Sequence, residues 1–216
     1  MPVFHLTDDL IFPPPDFAES DGLLAVGGDL RVERLLLAYS MGIFPWYSDD
    51  YPILWWSPDP RLVLFPNELK ISRSLKQTIK RGIFAITMNQ AFEQVIHGCA
   101  RKRRNNEDGT WITDEMKSAY IELHAAGYAH SVEAWLNNEL AGGLYGIALG
   151  RAFFGESMFS LRDNASKVAF VHLVENLMQD GFQLIDCQVT THHLMSFGAR
   201  EIPRVEFLKL LKTALT

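Results

Sequence analysis

Three polar residues stand in stretches that otherwise read as buried apolar strand. Glu156 lies inside "FFGESMFS" (153–160), and Asp186 and Gln188 stand two apart in "FQLIDCQV" (182–189). An ionised carboxylate in an apolar interior is costly unless it is paired, hydrogen-bonded or protonated, so each acid needs a structural partner or a ligand. Two carboxyl groups and an amide that meet beside apolar side chains have the chemistry to bind an amine, orient it and manage its proton. The same three also suit a buried polar network whose only task is to specify strand register.

The elements that position them read as α/β from residue 61 onward. "FAITMN" (84–89) predicts a strand, "NQAFEQVIHGCA" a helix, and "TDEMKSAYIELHAAG" a helix with Thr113 as N-cap and Gly127 at its end. "AHSVEAWLN", "ELAGGLYGIAL" and "AFFGESMFS" then follow as strands separated by connections short enough for hairpins, which makes an antiparallel meander. The glycines of "GGLYG" (142–146) suit a bulge or a close backbone approach. "NASKVAFVHLVENLMQDG" carries an apolar helical stripe and ends at Gly181, after which "FQLIDCQV" returns as a strand. Strand, helix and strand in one sheet imply a crossover to a parallel neighbour, which sets the strand of Glu156 near that of Asp186. Period two puts Asp186 and Gln188 on one face, about 6.6 Å apart, with Ile185, Cys187 and Val189 on the other. Phe153, Phe154, Met158, Phe159 and Ile185 are expected to wall the three polar groups, the usual description of a ligand site.

Residues 1–60 are rich in glycine, proline and tryptophan and predict a small irregular module, with one helix from about Leu30 to Met41 stopped by Gly42. Trp46, Trp55 and Trp56 are expected to hold it together, or to offer a stacking surface for a nucleobase. The fold class is thus α/β (α+β), with a division at 60/61.

The 216 residues, 48% hydrophobic, suffice for a sizeable core. The opening "MPVFHLTDDLIFPPP" lacks the pattern of a secretory signal, and no run approaches the roughly 18 apolar residues of a membrane span. A cytoplasmic protein with no membrane partner is expected. Cys99 and Cys187 have no metal-ligand spacing and read as buried free thiols, and adjacent His192 and His193 point in different directions, so neither a metal nor any other cofactor is expected. Phosphate-loop, nucleophile-elbow and H-E-x-x-H patterns are absent from the sequence.

The net charge of −6 conceals a polarised chain. Residues 70–104 hold nine basic side chains and the single acid Glu93, a balance of +8, while eleven basic and twenty-five acidic residues leave −14 elsewhere. Lys70, Arg73, Lys76 and Lys80 recur at helical spacing and continue into Arg81, a basic face suited to a phosphate backbone or simply to solvent.

At these residues the chain resembles the bacterial leucyl/phenylalanyl-tRNA-protein transferases over essentially its whole length. The shared words are "DGLLAVGGDL" (21–30), "GIFPWYS" (42–48), "ILWWSPDPR" (53–61), "GTWIT" (109–113), "HSVEAW" (130–135), "GGLYG", "GESMFS", "NASK" and "LIDCQV". The resemblance implies a GNAT-like acyltransferase domain, with a mixed, mainly antiparallel sheet flanked by helices, after a smaller N-terminal domain. It implies transfer of Leu, Phe or less efficiently Met from aminoacyl-tRNA to an N-terminal Arg or Lys of a protein, which marks the product for Clp-dependent N-end-rule degradation. By the same resemblance Trp46 and Trp111 border the tRNA 3′ end, and Glu156, Asp186 and Gln188 serve the reaction. Leu144, Phe153, Met158, Phe170, Leu173, Leu177 and Ile185 would form the aminoacyl side-chain pocket. Some relatives continue past the position of Thr216 with a basic and aromatic tail.

On this reading Gln188, held by Asp186, orients the attacking amine, Glu156 binds the α-amino group of the esterified residue, and the basic face takes the tRNA backbone. A monomer is expected. Two other classes use part of the pattern. A CoA-dependent acetyltransferase needs a glycine-rich pyrophosphate loop where this chain reads "SLRDNASK", and a non-catalytic RNA-binding module gives no reason for the three polar residues to meet.

Overall fold

The computed structural model describes residues 3–101 and 112–216. Strands β1 (Phe4–Leu6), β2 (Leu23–Gly27), β3 (Phe44–Pro45) and β4 (Leu54–Trp56) form a sheet in the order β1-β2-β4-β3, with helix α1 (Val32–Ser40) between β2 and β3. The N-terminal region is therefore an ordered sheet and not the irregular module that its composition suggests. Strands of two to five residues, interrupted by prolines, are too short to show a period of two. Trp55 is fully buried there, its indole N–H donating to the Gly27 carbonyl at 2.9 Å and its ring meeting Phe12 edge-on at 4.8 Å.

The larger sheet begins at β5 (Arg61–Leu64). Along the chain follow α2 (Arg73–Lys80), β6 (Ala85–Met88), α3 (Phe92–Ala100), α4 (Asp114–Ala125), β7 (Ala129–Leu136), β8 (Glu139–Leu149), β9 (Ala152–Ser160), α5 (Ala165–Gln179), β10 (Leu184–Gln188), α6 (His192–Met195), β11 (Arg200–Ile202) and α7 (Arg204–Leu215). The strand order is β11-β5-β10-β9-β8-β7-β6, and among the described residues of this sheet only β9 and β10 pair in parallel. The expected meander and crossover are both present. Strands β5 and β11, which the sequence did not announce, complete the sheet beyond β10.

Two apolar clusters cover the two faces of this sheet. One joins α3, α4 and α7 to α1 and the N-terminal sheet, so Leu35 and Tyr39 share a core with Tyr120, Phe154 and Phe207. The other sits under α5 and α2 and includes Leu62, Leu64, Phe170, Val174 and Phe197. Burying apolar side chains on both faces accounts for the near-continuous apolar character of β9 and β10.

Candidate functional site

Both strands that carry the polar residues bulge at them. In β8–β9, Tyr145 faces Ser157 and Gly146 faces Gly155, which leaves Glu156 as the extra residue. In β10–β5, Asp186 faces Val63 and Gln188 faces Leu62, which leaves Cys187 as the extra one. The simple period-two spacing of Asp186 and Gln188 thus does not hold. Gln188 takes φ +61°, and its backbone N–H turns onto Asp186 Oδ1 at 2.9 Å. A left-handed backbone at a non-glycine residue persists only where the surroundings hold it, and such positions gather at functional sites. Gly146, opposite the first bulge, tolerates no side chain: an added Cβ would lie 2.2 Å from the Phe154 carbonyl. The β9–β10 ladder runs only from Leu184–Ala152 to Asp186–Phe154, and both bulges lie just past its end.

Around this point the three polar side chains meet. Gln188 Nε2 donates to Glu156 Oε1 at 2.8 Å. The Tyr39 hydroxyl on α1 lies 2.9 Å from Oε1, and the Tyr120 hydroxyl on α4 lies 2.8 Å from Oε2. The two hydroxyls are 2.5 Å from each other. Burial pushes the Glu156 carboxyl up to about 7, against the opposing pull of its three donors, and the neighbouring Asp186 charge pushes the same way as burial. Burial also raises both tyrosines well above the ordinary phenol range, and the Glu156 charge adds to it.

Asp186 has a different partner. Arg61, the first residue of β5, donates from Nε to Oδ1 at 2.8 Å and from Nη2 to Oδ2 at 2.7 Å, with both side chains fully buried. The guanidinium lies between the rings of Phe44 and Phe207, 4.8 and 4.6 Å from their centroids. A planar fork matched to a carboxylate and faced by aromatic rings is a geometry that lysine cannot reproduce.

The expected apolar wall is divided between the two faces. Leu144, Phe153, Phe170, Leu173, Leu177 and Ile185 belong to the cluster under α5, with Met158 half-buried against it, so the seven predicted pocket residues do form one group. Phe154 lies in the opposite cluster by simple alternation with Phe153, and Phe159 joins it because the bulge at Glu156 changes the parity of β9. Trp46 is 42% exposed, with its ring 5.9 Å from Trp56, whose indole N–H donates to the Trp46 carbonyl. Trp111, with Lys102, Arg103 and Arg104, lies outside the described residues.

The basic segment differs from its expected form in one respect. Helix α2 starts only at Arg73, where Ser72 caps it by accepting from the Leu75 N–H, so Lys70 precedes the helix and does not extend its face. The Lys70 backbone N–H is instead bonded to the Phe197 carbonyl. Arg73, Lys76 and Lys80 share one side of α2, Arg81 follows its last turn, and Leu75 buries the opposite side. All five cations are exposed, and none has a carboxylate partner among the described residues.

Sequence reasoning missed Arg61, Tyr39 and Tyr120. Arg61 stands at the end of "ILWWSPDPR" and opens the four-residue run "RLVL", a charge at the mouth of a fully buried strand. The tyrosines carried no such signal, since an aromatic on an apolar helix stripe reads as core. Among the described residues no group of three or more His, Cys, Asp and Glu is placed to hold a metal ion, and no helix is long and apolar enough to cross a membrane.

A mixed, mainly antiparallel sheet with a meander and a crossover helix to a parallel neighbour has the strand arrangement expected of a GNAT-like domain, and the polar trio sits where its parallel ladder ends. The comparisons with known proteins agree at the level of family. A family model described as "Leucyl/phenylalanyl-tRNA protein transferase" matches residues 63–212, and one described as its N-terminal domain matches residues 28–59. A relative from Syntrophobacter fumaroxidans is 64% identical over 98% of this chain and 90% of its own length. One from Anaeromyxobacter sp. (strain Fw109-5) is 60% identical over 100% of this chain and 92% of its own, and one from Syntrophotalea carbinolica 58% over 99% and 93%. All three bear the name leucyl/phenylalanyl-tRNA–protein transferase. The chain belongs to this family, and is accordingly an aminoacyltransferase enzyme. A GCN5-related N-acetyltransferase from Kribbella flavida is similar at a TM-score of 0.41 and 10% identity, covering 78% of this chain and 59% of that one; the fold class rests on the strand order and not on this likeness.

Proposed function

We propose that the chain moves Leu or Phe, and less efficiently Met, from aminoacyl-tRNA to the N-terminal Arg or Lys of acceptor proteins, forming a peptide bond that marks them for N-end-rule degradation by the Clp protease. The observation that carries the mechanism is Gln188 held from two sides, by Asp186 at its backbone N–H and by Glu156 at its side-chain amide. The aminoacyl ester is already activated, so alignment of the amine with the ester carbonyl supplies most of what is needed. A free α-amino group titrates at about 7.7 to 8.0, and a strong base is unnecessary. With Nε2 committed to Glu156, the Gln188 carbonyl oxygen is the atom left to accept from the attacking amine. Gln188 is thus the catalytic residue in this reading, and Asp186, Glu156 and Arg61 are positioning residues.

The apolar group under α5, from Leu144 and Phe153 to Ile185, supplies the aminoacyl side-chain pocket. Shape there separates an unbranched Cβ from Val or Ile, but one methylene is worth only about 1 to 3 kcal/mol, so leakage to Met follows. Half-exposed Trp46, with Trp111, offers a stacking surface to the terminal adenosine. Lys70, Arg73, Lys76, Lys80 and Arg81 take the tRNA backbone, and the acidic remainder of the chain draws the cationic acceptor. The protein acts in the cytoplasm as a monomer with no cofactor, on a division of the chain at 60/61 into an N-terminal and a catalytic domain.

The test is transfer of labelled Phe from Phe-tRNA to two peptides that differ only in Arg or Ala at the N-terminus, with acetyl-CoA as a parallel donor. Labelling of the Arg peptide alone is expected; acetylation, or no labelling from tRNA, overturns the reading. Replacing Lys76, Lys80 and Arg81 with Ala should weaken tRNA binding and lower the slope of log K against log salt by roughly 0.7 to 0.9 for each phosphate no longer neutralised. Unchanged affinity moves the tRNA track elsewhere.

A further inference from the structure

Glu156, Tyr39 and Tyr120 approach one another through three pairs of oxygens, at 2.9, 2.8 and 2.5 Å, all within hydrogen-bond range. Each approach of that length between oxygen atoms needs a proton in it. Two tyrosines supply two protons. If Glu156 is ionised, both hydroxyls donate to the carboxylate, and the 2.5 Å approach between the phenol oxygens is left with lone pairs facing each other. If Glu156 carries a proton the count closes. Oε2–H donates to Tyr120, the Tyr120 hydroxyl donates to Tyr39, the Tyr39 hydroxyl donates to Oε1, and Gln188 Nε2 adds its N–H to the same Oε1. Each of the three groups then gives and receives in one direction round the ring.

The groups facing the ring agree. From α1 comes Tyr39, from α4 Tyr120, from β8 the buried Tyr145, and from β10 Gln188 and Asp186. The nearby cation, Arg61 on β5, is bonded through two nitrogens to Asp186, and among the described residues no cation is ion-paired with Glu156. Burial without a counter-charge favours the neutral acid.

We propose that at mildly acidic pH Glu156 is a neutral carboxylic acid in the resting enzyme, that its proton closes a ring of hydrogen bonds with Tyr39 and Tyr120, and that this ring fixes the Gln188 amide with Nε2 turned inward and its carbonyl oxygen turned to the substrate amine. The part concerning Gln188 rests on the proposed transfer reaction; the protonation of Glu156 does not. A neutral Glu156 whose oxygens are all engaged acts on the substrate through Gln188, in place of the direct grip on the α-amino group that the sequence suggested. Tyr39 and Tyr120 become positioning residues for the reaction.

Infrared difference spectra of the wild type against Glu156→Gln, with substrate absent, test the protonation directly. A protonated-carboxyl C=O band is expected in the wild type below pH 7, fading as the pH is raised through that value and missing from the variant. The lack of any such band below that pH overturns the proposal. The second arm compares variants in the transfer assay. Gln offers an N–H where the acid offers O–H and so can keep the ring, whereas Ala cannot. Glu156→Gln should keep at least about tenfold more kcat than Glu156→Ala. Equal loss in two folded variants would show that the charge, and not the ring, is what the reaction uses. Since the infrared arm requires no turnover, a failure of the transfer reading leaves the protonation result intact.

Discussion

Asp186 and Glu156 are both buried acids, and both bond to Gln188, yet the protein treats their charge in opposite ways. Asp186 is given a guanidinium, held by two hydrogen bonds and flanked by two aromatic rings. Glu156 is given two phenols and an amide, which can share a proton but cannot neutralise a charge. A site that holds two carboxyl groups near one amide avoids mutual repulsion by making one an ion pair and leaving the other its proton. The difference teaches that the two acids are not interchangeable. Asp186 anchors the backbone of Gln188 and Glu156 sets its side chain.

The sharpest way to break the comparison is to remove the cation. Arg61→Met leaves Asp186 buried without its partner, and a stranded buried charge costs about 3 to 5 kcal/mol. Urea denaturation should show that loss as a lower midpoint with an unchanged slope. The double variant Arg61→Met with Asp186→Leu should recover most of the stability and none of the transfer activity. A single variant as stable as the wild type would mean that Asp186 does not depend on Arg61.

The other acid is probed by pH. The folded Glu156 carboxyl titrates at about 7, above its ordinary 4.5, so the folded state holds the proton more tightly than the unfolded one. Its contribution is fully present below 4.5 and is lost as the pH rises through 7, an interval worth about 3 to 4 kcal/mol at 1.4 kcal/mol per unit. The variant Glu156→Gln has no such proton to lose. Unfolding free energies measured across that window should fall with pH in the wild type relative to Glu156→Gln. Parallel curves would place Glu156 in the same condition as Asp186 and end the contrast.

How far the site could be read from sequence follows the same division. Glu156, Asp186 and Gln188 were legible because a polar residue in an apolar strand is conspicuous. The strand-helix-strand order around α5 sufficed to make β9 and β10 neighbours. What surrounds them was less legible, for separate reasons. Tyr39 and Tyr120 are core residues by every periodic criterion, and only the third dimension shows that their hydroxyls meet one carboxyl group. Arg61 was hidden because β5 is four residues long and lies 125 residues from its partner in sequence. The two bulges depend on pairing between strands, which no single strand reveals, and the one at Glu156 decides that Phe159 faces away from Phe153. The N-terminal sheet was missed because its strands are shorter than the period that would betray them.

A smaller effect separates the ring from the helix that delivers half of it. Tyr120 sits on α4, whose first turn is capped by Thr113 accepting from the Met116 N–H at 3.1 Å, while the Thr113 oxygen also lies 3.4 Å from the Tyr47 hydroxyl. Losing an N-cap costs about 1 kcal/mol. Tyr120 lies nearly two turns further on, fully buried between Tyr39 and Tyr145, so packing and not the cap holds its hydroxyl in place. Thr113→Ala should therefore lower the unfolding free energy by about that amount and leave the pH dependence of stability parallel to the wild type. A change in the pH dependence would show that the ring is strung on α4 alone, and that the phenol side of the contrast is far softer than the guanidinium side.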